Sequence, residues 1–327
     1  MKAIVIEPNK DLVWKEVENP VLKPGEVLVK VAAAAVNRAD LMQRDGCYPP
    51  PPGCPEWPGL EISGEIVEVT PEVEKNGKWH VGDKVCALLG GGGYAEYAAV
   101  EECMLMPIPK GISMEEAAAL PEAFATAYLN LFIEGGAKEG MTFLMHAGAS
   151  GLASVVIPMA KAFGLRVITT VLSEEIAKSI SHLNADLVVD TSKENIADVL
   201  AREAEAGRPL NLAIDCLGST KVGECFPHVA YGCRWIMIAT LAGDITDVNM
   251  RTMYVKNIRL IGSTLRSKTP EVKGQILSSL VKDVWPKVES GEVRPTIYKV
   301  MPITEAEAAH DLLAQGKSVG KVVLTVN

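Results

Sequence analysis

FLMHAGASGLASVVIPMAKAFGLRVITTV, residues 143–171, carries the clearest architectural signal in the chain. FLMHA is a short apolar run that reads as a strand, and AGASGLA supplies the small residues of a tight turn. Residues 154–163 predict a helix, with Val155, Ile157, Met159 and Ala162 available for packing and Pro158 near its first turns. Gly164 ends that helix, and the β-branched RVITTV predicts a second strand. A strand that feeds a helix through such a turn gathers backbone N–H groups at the positive end of the helix dipole, which makes a cradle for an anion. In a βαβ unit the anion is usually a dinucleotide pyrophosphate.

Taken alone, the turn is a degraded fingerprint. Against G-x-G-x-x-G it offers Gly148, then Ser150, then Ala153, with Gly151 and Leu152 between them. Alanine is tolerated at the third position, which needs only close helix–strand packing. Serine at the second adds a hydroxyl beside the pyrophosphate or the substrate. The same residues also suit an ordinary strand-to-helix turn filled with small side chains, so the rest of the chain has to discriminate.

A chain of 327 residues can bury a large core and is expected to form two domains. Its net charge of −9, with no basic cluster to offset it, argues against nucleic acid as a partner. No apolar run is long enough to span a bilayer, and MKAIVIEPNK lacks the apolar core of a signal peptide. The seven cysteines are scattered and form no C-x-x-C, so free thiols in a reducing compartment are expected, with the cytoplasm as the location.

Working outward, the first 110 or so residues read as β-rich. MKAIVIE, DLVWKEVE, GEVLVKVAAAAV, EISGEIVEVT and DKVCALL alternate or run apolar between turn residues, the pattern of a barrel-like β domain. Ser113 with Glu116 forms a capping box that opens a helix, and a further helix is predicted over 122–133. From about 121 to 262, FLMHA, RVITTV, DLVVD, LAIDC, CRWIMIA and RLIGST alternate with helical stretches, which predicts a parallel doubly wound sheet. The tail predicts helices over 271–288 and 305–314 and a closing strand, GKVVLTV, that rejoins the first domain.

Several segments in order along the chain are similar to one known family: NRADLMQRDGCYPPPPG, PGLEISGEIVEV, GDKVCALLGGGGYAEYA, PEAFATAY, HAGASGLA, IDCLG, GSTLRS and GKVVL. Together they resemble the zinc-free quinone oxidoreductases of the medium-chain dehydrogenase/reductase superfamily, which include zeta-crystallin. The resemblance implies an α/β protein. A GroES-like β-barrel catalytic domain, here 1–120 and 265–327, would carry an inserted Rossmann domain of doubly wound parallel sheet, 121–264, with the active site in the cleft. It further implies NAD(P)H-dependent reduction of a small-molecule quinone or conjugated carbonyl, and a homodimer. Zinc-dependent members carry Cys where this chain has Asn37 and His where it has Leu60. Neither replacement holds zinc, and Glu61 alone makes no site, so no metal is expected.

On that resemblance Tyr48 lines the substrate cleft, where its phenol can hydrogen-bond a quinone oxygen as charge develops; packing on the surrounding prolines is the alternative. Asn37 can orient a carbonyl or satisfy local backbone. Asp40 is expected to cap the helix DLMQR. Ser150 would lie near the nicotinamide or simply fill the turn, and Gly148, Gly151, Leu152 and Ala153 would let the backbone approach the cofactor. Thr126 would contact the nicotinamide region, with core packing as its alternative. Gly218, Ala239, Thr264 and Leu265 fall at the carboxyl ends of predicted strands, where ligands of this fold bind. Lys321 either reaches the cofactor or is surface charge. The LGGGGY run, 89–94, is not followed by a helix or Lys-Ser/Thr and reads as a flexible loop bordering the cleft. His146 reads as structural.

The strand RVITTV ends without the acid that selects NADH. Relatives commonly hold the 2′-phosphate of NADPH with a Ser, a Lys three residues on and a Tyr after the third strand. Ser173 is present, whereas Ile176 and Thr191 replace the other two, and Glu174 and Glu175 make the neighbourhood acidic. NADPH is the expected cofactor, with NADH as the alternative. The rival functions are reduction of the C=C of a 2-alkenal or enoyl substrate, and a non-catalytic, crystallin-like role as a cofactor-binding protein.

Overall fold

A computed structural model describes residues 1–219, 221–316 and 319–326. The chain divides into two compact units, Met1–Ala125 with Arg266–Gly291 and Pro295–Asn327, and Thr126–Leu265 with Glu292–Arg294. The division falls inside the helix Pro121–Tyr128 rather than ahead of it. That helix runs on through a π-helical turn, Leu129–Ile133, so the helix expected over 122–133 is present as two geometries end to end.

The first unit holds strands β1 (Lys2–Ile6), β2 (Leu12–Glu16), β3 (Glu26–Ala35), β4 (Glu61–Val69), β5 (Lys84–Leu88), β6 (Tyr97–Glu101) and β7 (Leu105–Pro107). The second holds β8 (Thr142–Met145), β9 (Arg166–Val171), β10 (Leu187–Asp190), β11 (Leu210–Asp215), β12 (Val229–Met237) and β13 (Arg259–Gly262). The chain then returns to the first unit for β14 (Ile297–Pro302) and β15 (Lys321–Thr325).

In the first unit the strands run in the order β14-β15-β3-β4-β5-β7, with β6 also paired to β3 and with β1 and β2 as a separate ribbon. Strand β3 shows why its sequence makes it central. Val27, Val29 and Val31 alternate inward while Lys30 stays exposed, and then Ala33, Ala34 and Ala35 are all buried. The alanines are short enough for the helix Met114–Ala118 to pack on them, in a cluster of Ala33, Ala35, Ala118, Ala119 and Val323. That helix begins with the expected capping box, Ser113 Oγ accepting from the Glu116 N–H and Glu116 returning to the Ser113 N–H. The last strand enters through Gly320, where φ is +102° and a Cβ would stand 2.4 Å from the Thr296 oxygen. Only glycine fits there, and this close approach delivers Lys321 to the start of β15 beside β3.

The second unit is a six-stranded sheet in the order β10-β9-β8-β11-β12-β13, every neighbouring pair parallel. The order reverses between β8 and β11, as doubly wound sheets do at their ligand-binding end. Leu144, Ile168, Val189, Ala213 and Trp235 carry the strands into one buried cluster with Leu200 and Phe226. The predicted GroES-like β domain and inserted Rossmann sheet are both present. All seven cysteines are free, and no helix among the described residues is long and apolar enough to cross a membrane.

Candidate active site

In the second unit, β8 ends at Met145 and the chain turns through Ala147, whose φ is +55°. Gly148 is buried, and its N–H donates to the Thr170 oxygen at 2.8 Å. A Cβ here would lie 2.5 Å from Thr169 Oγ1, so the glycine is required first by packing against β9. Ser150 lies just ahead of the helix Ala153–Ala162, its Oγ accepting from the Ala153 N–H at 3.1 Å. The N–H groups of Gly151 and Leu152 meet no protein acceptor among the described residues. The turn therefore keeps two donors for an anion at the start of a ten-residue helix, which fits a dinucleotide pyrophosphate.

Beyond the turn, a cavity of about 480 Å³ opens at the carboxyl ends of β10 and β11. His146, Thr191, Ser192, Lys193, Asn195, Leu217, Gly218, Ser219 and Ala242 are among its lining residues. Asp215, 1% exposed, ties down two of these lining residues: its Oδ1 accepts from the N–H groups of Leu217 (2.7 Å) and Gly218 (3.0 Å) while Oδ2 accepts from the Trp235 indole (2.9 Å). Gly218 has φ +67°, and a Cβ would lie 2.5 Å from the Gly243 oxygen. His146, read from sequence as structural, lines this cavity and also meets Thr170 Oγ1 through Nδ1 at 3.0 Å. Burial holds its imidazole below the usual range, against the pull of Asp215.

The other predicted positions of this unit are dispersed over the same end of the sheet. Ser173 caps the helix Glu174–Ser179 by accepting from Ile176. Ala239 follows β12 and is half-buried; after β13, Thr264 is exposed and Leu265 buried. Thr126 is half-buried, its carbonyl accepting from Asn130 Nδ2 at 2.8 Å. Among the described residues of this unit three buried side-chain atoms make no hydrogen bond, Asn130 Oδ1, Asp190 Oδ2 and Ser263 Oγ. None was legible beforehand, because an unpaired buried atom is a tertiary fact.

The first unit assembles a different cluster. Lys321, 4% exposed, places Nζ 2.7 Å from Glu61 Oε1 and 2.6 Å from Asn37 Oδ1. Asn37 Nδ2 donates to Glu61 Oε1 at 3.0 Å and to the Ala35 oxygen at 3.3 Å, and Glu61 Oε2 accepts from the Glu122 N–H at 2.8 Å. Two expectations change here. Lys321 is no surface charge, and the Asn37 amide expected to orient a substrate carbonyl is fully engaged by the protein's own groups. Asp40 is not the cap residue itself but lies one turn in. Its carboxylate returns to the Asn37 N–H (2.8 Å) and also accepts from the Gly59 N–H and the Tyr94 hydroxyl. Burial pushes Asp40 up to about 6.

Tyr48 is half-buried, and Arg266 lies against it. The Arg266 guanidinium lies 4.5 Å from the ring centroid and donates to the Tyr48 carbonyl oxygen (3.2 Å), to Gln43 Oε1 (3.0 Å) and twice to the Gly90 oxygen. Burial raises the phenol above its ordinary range, with Arg266 opposing. The LGGGGY run, expected to be loose, is tied by bonds from Leu89 to Leu60, Gly92 to Trp57, Gly93 to Gly59 and Tyr94 to Pro58.

Glu122, also unpredicted, is pushed up to about 7 by burial and then by Glu61. A carboxyl raised from its unfolded value of 4.5 contributes stability that is complete below that value and is lost as pH rises through about 7. Glu122→Gln removes the effect. Urea unfolding of wild type and variant at about pH 4.5 and about pH 8 should show the wild type losing stability relative to the variant as pH rises. Parallel pH profiles would refute this.

Two family models match the chain, "Alcohol dehydrogenase GroES-like domain" over 23–110 and "Zinc-binding dehydrogenase" over 183–324. The second description raises the question of zinc, and the residues here do not fit it. Where a metal would sit against Glu61, the Lys321 ammonium already supplies a positive charge, and among the described residues no three His, Cys, Asp or Glu are grouped to hold an ion. A quinone oxidoreductase-like protein 2 homolog from Nematostella vectensis is 31% identical over 307 residues, 93% of this chain and 82% of the relative. A 2-methylene-furan-3-one reductase from Solanum lycopersicum is 30% identical over 315 residues, 93% of this chain and 73% of the relative. Among solved structures, the quinone oxidoreductase from Thermus thermophilus, studied also in complex with NADPH, superposes with a TM-score of 0.81 at 29% identity and full coverage of both chains. With a GroES-like unit, a doubly wound parallel sheet and relatives matched along most of their length, the chain belongs to the quinone oxidoreductase family of the medium-chain dehydrogenase/reductases.

Proposed function

We propose that this protein reduces quinones with NADPH, without zinc. The observation that carries the reading is the turn after β8, where Gly151 and Leu152 present unpaired N–H groups at a helix start beside the cavity holding Gly218. Bound there, NADPH supplies the hydride. The protein's part is to position the partners and steady the charge. Gly151 and Leu152 hold the pyrophosphate, with Gly148 and Ala153 giving the close packing that lets it approach. Gly218, Ala239, Thr264 and Leu265 border the cofactor, and Thr126 with Ser150 stands near its nicotinamide. Tyr48 donates its phenolic hydrogen to the quinone oxygen as negative charge grows there. The Arg266 guanidinium over the ring favours that donation by drawing electron density from the phenol. Lys321 holds Asn37 and Glu61 in place, and protons come from water.

Quenching of tryptophan fluorescence should saturate with NADPH, and steady-state assays should give a larger kcat/KM for 1,2-naphthoquinone than for trans-2-enals. No saturable quenching by NADPH or NADH would sink the redox reading. A larger value for enals would transfer the assignment to conjugated C=C reduction, the reading favoured by similarity to the Solanum lycopersicum reductase.

The seven free thiols support a cytoplasmic location. A homodimer is supported by the edge strand β13, which carries exposed Leu260, with Tyr231, Ile245, Tyr254 and Val255 also exposed in the same unit. Light scattering should return twice the chain mass, and the mass of one chain would refute the dimer.

A further inference from the structure

The end of β9 carries an ion cluster that the mechanism above leaves unused. In a doubly wound sheet the ribose 2′ position of a bound dinucleotide lies at the end of the second strand, where an acid selects NADH and a cation accepts the 2′-phosphate of NADPH. Here β9 is that strand, next to β8 in the sheet order. It is followed by Glu174, whose carboxylate lies between two ammonium groups, Lys178 at 2.9 Å and Lys193 at 2.8 Å. Lys193 comes from the loop after β10. The Thr191 N–H, donating to the Val171 oxygen at 2.9 Å, draws that loop against the end of β9. Lys193 also lines the cavity with Thr191, Asn195 and Gly218, so one side chain joins the ion cluster to the space an adenosine would fill. The three charged groups are exposed, and exposed pairs exchange partners readily.

Resting on the reading of NADPH as cofactor, we propose that Glu174 is an internal stand-in for the 2′-phosphate. The phosphate of NADPH displaces the Glu174 carboxylate and takes over Lys178 and Lys193, while NADH leaves the Glu174 contacts intact. The two lysines then do the work for which Ile176 and Thr191 are unsuited, and Glu174 sets the margin by which NADPH is preferred.

Dissociation constants of NADPH and NADH, measured by fluorescence quenching on the full chain, test this. Glu174→Gln should tighten NADPH about 5-fold and leave NADH unmoved. Lys178→Met combined with Lys193→Met should weaken NADPH about 20-fold, to near the affinity of NADH, again without moving NADH. The same changes should appear for 2′,5′-ADP and be absent for 5′-AMP. If both dinucleotides bind the wild type and neither set of substitutions moves their ratio, the proposal is overturned while the cofactor reading stands. If neither binds the wild type, both fall together.

Discussion

Lys321→Met will destabilise the folded protein by about 3–5 kcal/mol, the cost of leaving a buried carboxylate without its counter-charge. Glu61 is fully buried, and the ammonium is its only cationic contact within 4 Å among the described residues. Asn37 loses its partner in the same step, since its Oδ1 accepts from Nζ. The effect should be read from the urea midpoint at unchanged slope. Adding Glu61→Gln should restore most of the loss. A glutamine there keeps one oxygen to accept from the Glu122 N–H or from Asn37 Nδ2 and leaves no buried charge to compensate. Equal losses in the single and double variants would show that the ion pair is not what the methionine removes.

Arg266→Ala should lower kcat/KM for the quinone about 100-fold while leaving the NADPH dissociation constant near its wild-type value. The guanidinium ties together three pieces of chain, the Tyr48 loop, Gln43 of the helix Arg38–Arg44 and Gly90 of the glycine run. Alanine leaves those acceptors without donors and frees the ring it covered. Lysine in the same place cannot reproduce the fork, because an ammonium lacks the flat spread of five donors. Tyr48→Phe, which keeps the ring and removes the phenolic donor, should cost a similar factor of about 100. Since Arg266 acts through Tyr48, the double variant should be little worse than either single one. Fully multiplied losses would mean that Arg266 works elsewhere, and an unchanged rate for Tyr48→Phe would remove the phenol from the mechanism.

Much of the architecture was legible because the signals were local. The capping box at Ser113 and Glu116 lies within four residues, and β3 announces its inward face by alternation at Val27, Val29 and Val31. The site was legible only in outline. Asn37 and Tyr48 were singled out by type and place, but their partners were not. Asn37 is engaged by residues 24 and 284 positions away, and Tyr48 is held by one 218 positions away.

By itself the sequence determined the alternation of strand and helix from residue 121 to 262, the small-residue turn at 148–153 and the unsuitability of Asn37 and Leu60 as zinc ligands. These depend on side-chain type and short-range periodicity, which the chain carries wherever it folds. Only the folded chain shows that Lys321 is buried against Glu61 and that the Arg266 guanidinium lies over the Tyr48 ring. It likewise shows that Glu174 lies between two lysines. A buried charge is stable only beside the group that compensates it, and which group that is follows from the order of strands, β15-β3-β4 in one unit and β10-β9-β8 in the other.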